Sequence, residues 1–280
     1  MKMNLIKDNF NTLSPLPSIF LQEWKDILDG CDTVLFDNLD QFVYTVSKLT
    51  QKQDYTCNMT YLQALNKLKQ RVSDFPESHQ ETIRNLVRQN LFKRGLITEE
   101  VYEDFKYTTD GTQVGIDVGK YASGDAECVI TPSKQYIDYF YEMYINVSYP
   151  HYINNETVRN NVAKLLATVE ELERQHIFVK INVLFPANNI KADQGNSKNN
   201  KFFSVIPVFS HKDFKSVDIM SSVVNDRLLR KFYFAILEEM YGDNLASNYG
   251  YAINLPKTMN VGDEFNEIEF FESVKNNIGI

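Results

Sequence analysis

Apolar positions recur at helical spacing through the first third of the chain and at strand-like alternation after it. Behind a "SPLPS" breaker, Phe20, Trp24, Ile27 and Leu28 lie three or four residues apart and the run stops at Gly30, which predicts a helix with a glycine terminator. Leu39, Phe42, Val43 and Val46 predict a second helix. Leu62, Leu65, Leu68 and Val72 predict a third, with Thr60 as its N-cap, and Ile83, Leu86, Val87, Asn90 and Leu91 a fourth that ends at Gly95. Near residue 134 the period changes. "QYIDYFYEMYINVS" puts Tyr141, Met143, Ile145 and Val147 on one side of a strand. "NNETVRNNVAKLLATVEELERQ" then gives the clearest helix: Val158, Val162, Leu165, Leu166, Val169 and Leu172 form one stripe behind Asn154 or Asn155 as cap. "IFVKINVLF" and "KFFSVIPVFS" read as strands around the aperiodic polar loop "PANNIKADQGNSKNN". Ile219, Val223, Leu229, Phe232, Tyr233, Ile236, Leu237 and Met240 predict one more helix, and "NEIEFF" a last strand.

This order predicts an α/β fold: a layered, partly parallel sheet with flanking helices, preceded by a mainly helical N-terminal extension. The boundaries follow the change of period: a helical region over 1–109, a glycine-rich connecting segment over 110–133 and an α/β core over 134–280. Ligands of such sheets bind at the carboxyl ends of strands, which directs the search for chemistry to "NVSYPHYINNE".

Composition narrows the classes. The hydrophobic share of 43% and the aromatic share of 13% supply a core and exclude compositional disorder. A net charge of -8 argues against a globally basic, nucleic-acid-binding surface. Apolar runs fall short of the roughly 18 residues a membrane span needs, and the N-terminus lacks the pattern of a secretory signal. Three separated cysteines, Cys31, Cys57 and Cys128, fit reduced thiols, so a cytoplasmic protein is expected.

Motif chemistry is sparse. The glycines at 111, 115, 119 and 124 match neither a P-loop nor a dinucleotide fingerprint, and the acids among them do not fall on an EF-hand pattern. The segment reads as a folded connection with turns at its glycines. His151, in the loop after the first core strand, is a candidate acid, base or ligand, with a plain surface histidine as the simpler reading. Arg227, Arg230 and Lys231 read as a solvated helix face, and Glu170 and Glu171 as helix-surface carboxylates.

Two resemblances add to this. Asn146, Ser148 and Pro150 end the first core strand as "NVSYP", and the strand, loop, helix and strand there resemble von Willebrand factor A-type domains, whose first strand ends in DxSxS and holds a divalent metal. The resemblance implies a degenerate A-domain-like core with an eroded site, since Asn removes the charge and Pro a hydroxyl. Three stretches, "GIDVGKYASGDAECVI", "RNNVAKLLATVEELERQHIFVKINV" and "LLRKFYFAILEEMYGDNLASNYGY", resemble an uncharacterised family encoded by bacteriophages and related mobile elements. Its D-V-x-x-Y-x-x-G-x-x-E-C/M segment matches Asp117, Val118, Tyr121, Gly124 and Glu127, and weaker positions match Arg159, Leu172, Glu173 and Arg230. Asn160 stands where Gly is expected and Lys231 where a second Arg is expected. The resemblance implies a phage or mobile-element origin and a structural role for Asp117, Tyr121, Gly124 and Glu127, with Asp117 and Glu127 capping turns or helix ends.

The expectation is a non-enzymatic protein-binding module without a cofactor, host-directed (such as anti-defence) or an assembly factor or AAA+ ATPase partner. Asn146, Ser148, His151, Arg159 and Arg230 are its candidate binding residues. Two alternatives stay open. One is a nucleic-acid-associated factor on which Arg159, Lys180, Arg227, Arg230 and Lys231 converge. The other is a metal-dependent enzyme or adhesion module with an eroded Mg²⁺ site at Asn146, Ser148 and His151.

Overall fold

A computed structural model describes residues 23–24, 27–28, 31–49, 60–71, 75–97, 105–108, 115–125, 127–132, 137–150, 152–192, 200–224, 226–246 and 249–280. The first elements are β1 (Asp32–Leu35), α1 (Leu39–Val46), α2 (Tyr61–Gln70) and α3 (Glu77–Lys93). A small unit follows: β2 (Phe105–Thr108), β3 (Gly115–Ile116), α4 (Val118–Ala122) and β4 (Val129–Pro132). Next come β5 (Tyr139–Asn146), α5 (Asn155–Glu173), β6 (Ile177–Asn188), β7 (Lys201–Phe209), α6 (Val217–Val224) and α7 (Asp226–Tyr241). The chain closes with β8 (Tyr251–Ala252), β9 (Met259–Asn260) and α8 (Glu267–Ile278).

The fold is α/β, with helices flanking a six-stranded sheet of order β1-β7-β6-β5-β9, in which β8 lies beside the end of β6. Strands β5 and β6 run parallel from Tyr139↔Ile177 to Asn146↔Leu184, with α5 as their crossover. Strand β7 returns antiparallel to β6, and β1 joins β7 in parallel from Asp32↔Phe202 to Leu35↔Val205. One edge of the sheet therefore gathers the carboxyl ends of β5 and β6 with the amino ends of β7 and β1.

Strand alternation divides the sheet into two unequal faces. Met143 and Ile145 of β5, Ile177, Val179, Ile181 and Val183 of β6, and Phe202 and Ile206 of β7 share one core cluster with buried residues of α1, α2, α3, α5, α6, α7 and α8. The alternating positions Tyr144, Leu184, Phe203 and Val205 form a smaller cluster with Trp24 and Leu255. Trp24 meets Tyr144 edge-on at 5.1 Å and Phe203 at 6.1 Å, and its Nε1 donates to Pro256 O at 2.9 Å.

Local chemistry fixes the helix ends. Thr60 and Gln63 form a capping box on α2, and Asn154 Oδ1 accepts from Glu156 N at the start of α5. The apolar stripes are rotated from the expected ones: Leu62 is 66% exposed while Ala64, Leu65 and Leu68 are buried, and Ile83, Val87 and Leu91 are buried while Leu86 is exposed. Val72 lies outside the described residues.

Several expectations are corrected. "NEIEFF" opens helix α8 instead of a strand: Asn266 Oδ1 accepts from Ile268 N and Glu269 N, Phe271 and Val274 are buried three residues apart, and Gly279 closes the helix at φ 79°. Six residues with only three apolar positions, Ile268, Phe270 and Phe271, do not distinguish the two periods. Ile219 to Met240 forms two helices, α6 and α7. "DTVL", with too little alternation to read, is the edge strand β1 because β7 offers it a partner. The connecting segment contributes to an antiparallel sheet of order β2-β4-β3. Lys231, expected on a solvated face, is 2% exposed, because α7 is covered on more than one side; Tyr61 and Phe42 both pack on Phe232. Glu171 is buried too, 3.2 Å from Arg174 Nη1 and 4.0 Å from Arg88 Nε, and burial raises its carboxyl above the ordinary range despite both cations. Among the described residues, no helix is long and apolar enough to cross a membrane.

Candidate binding surface

The carboxyl end of β5 is where the sequence points first. Asn146 is fully buried; its Nδ2 donates to Ile253 O at 2.8 Å and its Oδ1 accepts from Ser148 N at 2.9 Å. The first of these bonds needs an amide, since a carboxylate there would face a carbonyl oxygen. Asn146 thus ties the end of β5 to the strap at 253–256 that covers Trp24, and Ser148 is buried beside it. Arg159 is half-buried on α5. His151 and the side chain of Arg230 lie outside the described residues, so of the five binding candidates only Asn146, Ser148 and Arg159 are placed. Among the described residues there is no group of three or more His, Cys, Asp or Glu side chains placed to hold a metal.

The segment around Asp117 is built from backbone-directed bonds. Asp117 Oδ1 accepts from Gly119 N at 3.0 Å and Lys120 N at 3.1 Å, capping α4. Gly124 takes φ 78°, the left-handed turn that glycine adopts without steric cost. The side chain that closes the next turn is Asp125, whose Oδ1 accepts the amide of Glu127 at 3.0 Å. Helix α4 buries none of its side chains, and Val118 and Tyr121 are exposed.

A second cluster, absent from the sequence reading, lies at the same sheet edge. Tyr241 donates to Asp32 Oδ2 at 2.7 Å, and Lys191 Nζ sits 3.3 Å from that oxygen and 5.2 Å from the Tyr241 ring centroid. Lys201 Nζ donates to Ile27 O at 2.6 Å. Burial, opposed by Lys201, pushes the neighbouring Cys31 thiol up to about 12, so it stays protonated at neutral pH. This cluster anchors β1 at the sheet edge.

The open part of the second sheet face is different in kind. Phe140 and Phe178 are register partners on β5 and β6, their rings stacked at 6.1 Å, and Phe140 is 52% exposed. His211 meets Phe140 edge-on at 5.2 Å, and Lys212 Nζ lies 5.8 Å from the Phe178 centroid. Glu142 Oε1 receives Lys180 Nζ at 2.7 Å and Asn182 Nδ2 at 2.8 Å; Asp138 faces His176 at 3.3 Å and Lys212 at 3.9 Å. Burial first, then Lys180, pulls the His211 imidazole below its ordinary value. Ile137 is exposed beside this patch, and among the described residues β9 pairs only with the last two residues of β5. An apolar centre with self-neutralising charges around it can dock an apolar surface.

The model of a family described as a domain of unknown function (DUF7192) matches residues 19–277. No curated protein matches the chain, and no solved structure does.

Proposed function

Since the chain belongs to the DUF7192 family, whose description carries no activity, we propose its function from its own surface: it is a non-enzymatic module that docks a protein partner on the open half of its sheet. The observation that carries this reading is the Phe140–Phe178 pair, an aromatic stack left half in water on two firmly paired strands. Rigid aromatic anchors ringed by polar groups are what interface centres use. The protonated Cys31 thiol and the structural use of the Asn146 amide weigh against nucleophilic and metal-dependent readings. The phage-family resemblance at Asp117, Tyr121, Gly124 and Glu127 supports a phage or mobile-element origin. A role in the cytoplasm of the producing or infected cell goes with it, against a host defence or beside an assembly factor or AAA+ ATPase. The run β5–α5–β6 is the feature on which the degenerate A-domain-like reading rests.

A nucleic-acid-associated factor is the second reading, favoured by a lysine over an exposed aromatic pair, the combination that single strands use. Lys180 and Lys212 already have carboxylate partners, and the net charge of -8 opposes polyanions, so the protein reading stands first.

Capture of tagged full chain from its producing cell, at low and high salt, tests the choice. Wild type is expected to retain a stoichiometric protein at high salt and Phe140→Asp to lose it. Nucleic acid released as salt rises would install the second reading. A partner held equally by both chains would refute the surface, and a clean chain with no passenger would refute the module.

A further inference from the structure

Parallel pairing with β6 turns the backbone groups of successive β5 residues in opposite directions. Tyr139 N donates to His176 O at 2.8 Å and Val147 N to Leu184 O at 2.9 Å, so the odd-numbered residues face β6. The even-numbered residues face the sheet edge, where Asn146 O accepts from Val261 N at 3.2 Å just past the short strand β9. Among the described residues, the backbone N–H and C=O groups of Phe140 and Glu142 meet no strand on that edge. The lane that β9 leaves open, along residues 139–143, is roughly 16 Å long at about 3.3 Å per residue. Edges that stay bare in folded proteins carry Lys, Pro or a bulge. This one has none of them. Residues 139–144 read YFYEMY, their register with β6 is continuous, and their single charge, Glu142, is held toward β6 by Lys180 and Asn182.

Resting on the docking reading of this face, we infer that β5 takes up its partner as an added strand. The occupant is an extended protein segment that alternates basic, any, aromatic, any, basic, and it lies along residues 139–143 in the lane of β9. Three observations carry the inference. Outward N–H and C=O groups at every second residue are matched by another extended backbone. The lane borders the open face, so a side chain opposite Phe140 lengthens the row that Phe178 and Phe140 begin, and Phe140 is 52% exposed to receive it. The neighbours of Phe140 on that face of β5 are both acids, Asp138 and Glu142, and the cations they meet lie away from the lane. Lys180 is on β6, His176 precedes it, and Lys212 is in the turn after β7. A segment in the lane therefore has a carboxylate two residues to either side of its aromatic, and opposite charges across a strand pair are favourable. On the other face Tyr139 and Tyr141 pack against the main core cluster, which holds the edge in place for a partner.

The test titrates the synthetic peptide acetyl-Thr-Lys-Thr-Phe-Thr-Lys-Thr-amide into the full chain up to about 1 mM, the weak end of specific binding. Its pattern reads the same in both directions, so it fits β5 in either orientation. Binding is expected, and solvent exchange of the Phe140 and Glu142 amides, followed by NMR, should slow about tenfold or more. Two further versions probe the backbone, one N-methylated at its Lys and Phe residues and the other at its Thr residues. A strand bonds its neighbour through one edge only, so one version should lose binding and the other keep it. Glu in place of both Lys should weaken binding about tenfold. The inference is overturned by no binding at about 1 mM, by unprotected Phe140 and Glu142 amides, by methylated versions that behave alike, or by equal binding of the acidic peptide. A partner captured by wild type and lost by Phe140→Asp would still uphold the docking reading, so the two failures are distinguishable.

Discussion

The two faces of the central sheet are built from the same strands and meet different fates. On one, alternate residues of β5, β6 and β7 are buried or half-buried in a core cluster that draws on seven helices. On the other, the carboxyl-end half is sealed by Trp24 and the strap at 253–256, while the half around Phe140 and Phe178 stays open. Hydrophobicity of the strand is not what separates them, since Phe140 and Tyr144 lie four residues apart on the same face of β5. What differs is whether a distant segment reaches over. A sheet needs one buried face to be stable, and the other is available for a partner wherever the chain leaves it uncovered.

The largest difference between the two halves lies at the Trp24 seal. Trp24→Ala would remove the ring between Tyr144 and Phe203 and the bond to Pro256 O, and is expected to cost about 3–5 kcal/mol in urea unfolding. A cost below about 1 kcal/mol would mean that the seal is ornamental to stability, as an ordinary surface site is. Asn146→Asp comes next. It places a carboxylate against Ile253 O where an amide now donates, and should destabilise by about 1–3 kcal/mol. Added Mg²⁺ is expected not to restore it; rescue by Mg²⁺ would revive the metal reading of this strand end.

The smallest effect is on pH dependence. Burial, then Lys180, lowers the folded His211 pKa below its ordinary 6.5, with Lys215 adding to the shift and Glu142 opposing it. The unfolded chain therefore takes up the proton first as pH falls. Stability is unaffected above 6.5, declines as pH drops from 6.5 toward the depressed value, and levels below it. His211→Gln should flatten that slope in thermal melts across the same window; an unchanged slope would show that His211 does not sense this field.

Much of the covered face was legible in the sequence. The stripe from Val158 to Leu172 and the cap at Asn154 announce α5 because period and cap are local properties. Strand β1 was not legible, since four residues become a strand only through the neighbour that β7 provides. Lys231 and Glu171 read as surface charges, because a sequence does not show how many elements surround a helix. The open patch was hidden for the same reason in reverse. Phe140 and Phe178 look like core residues, and their exposure depends on where a strap bonded to a tryptophan 232 residues away comes to an end.

The most direct measurement compares Tyr144→Ala with Phe140→Ala by urea unfolding, one residue under the seal and one beyond it on the same face of one strand. Tyr144→Ala is expected to lose about 3–5 kcal/mol, since a large aromatic leaves a closed core. Phe140→Ala is expected to lose about 1 kcal/mol, the scale of a single aromatic pair. Equal losses at the two positions would contradict a divided face, because Phe140 would then be part of the core and unavailable as a docking surface.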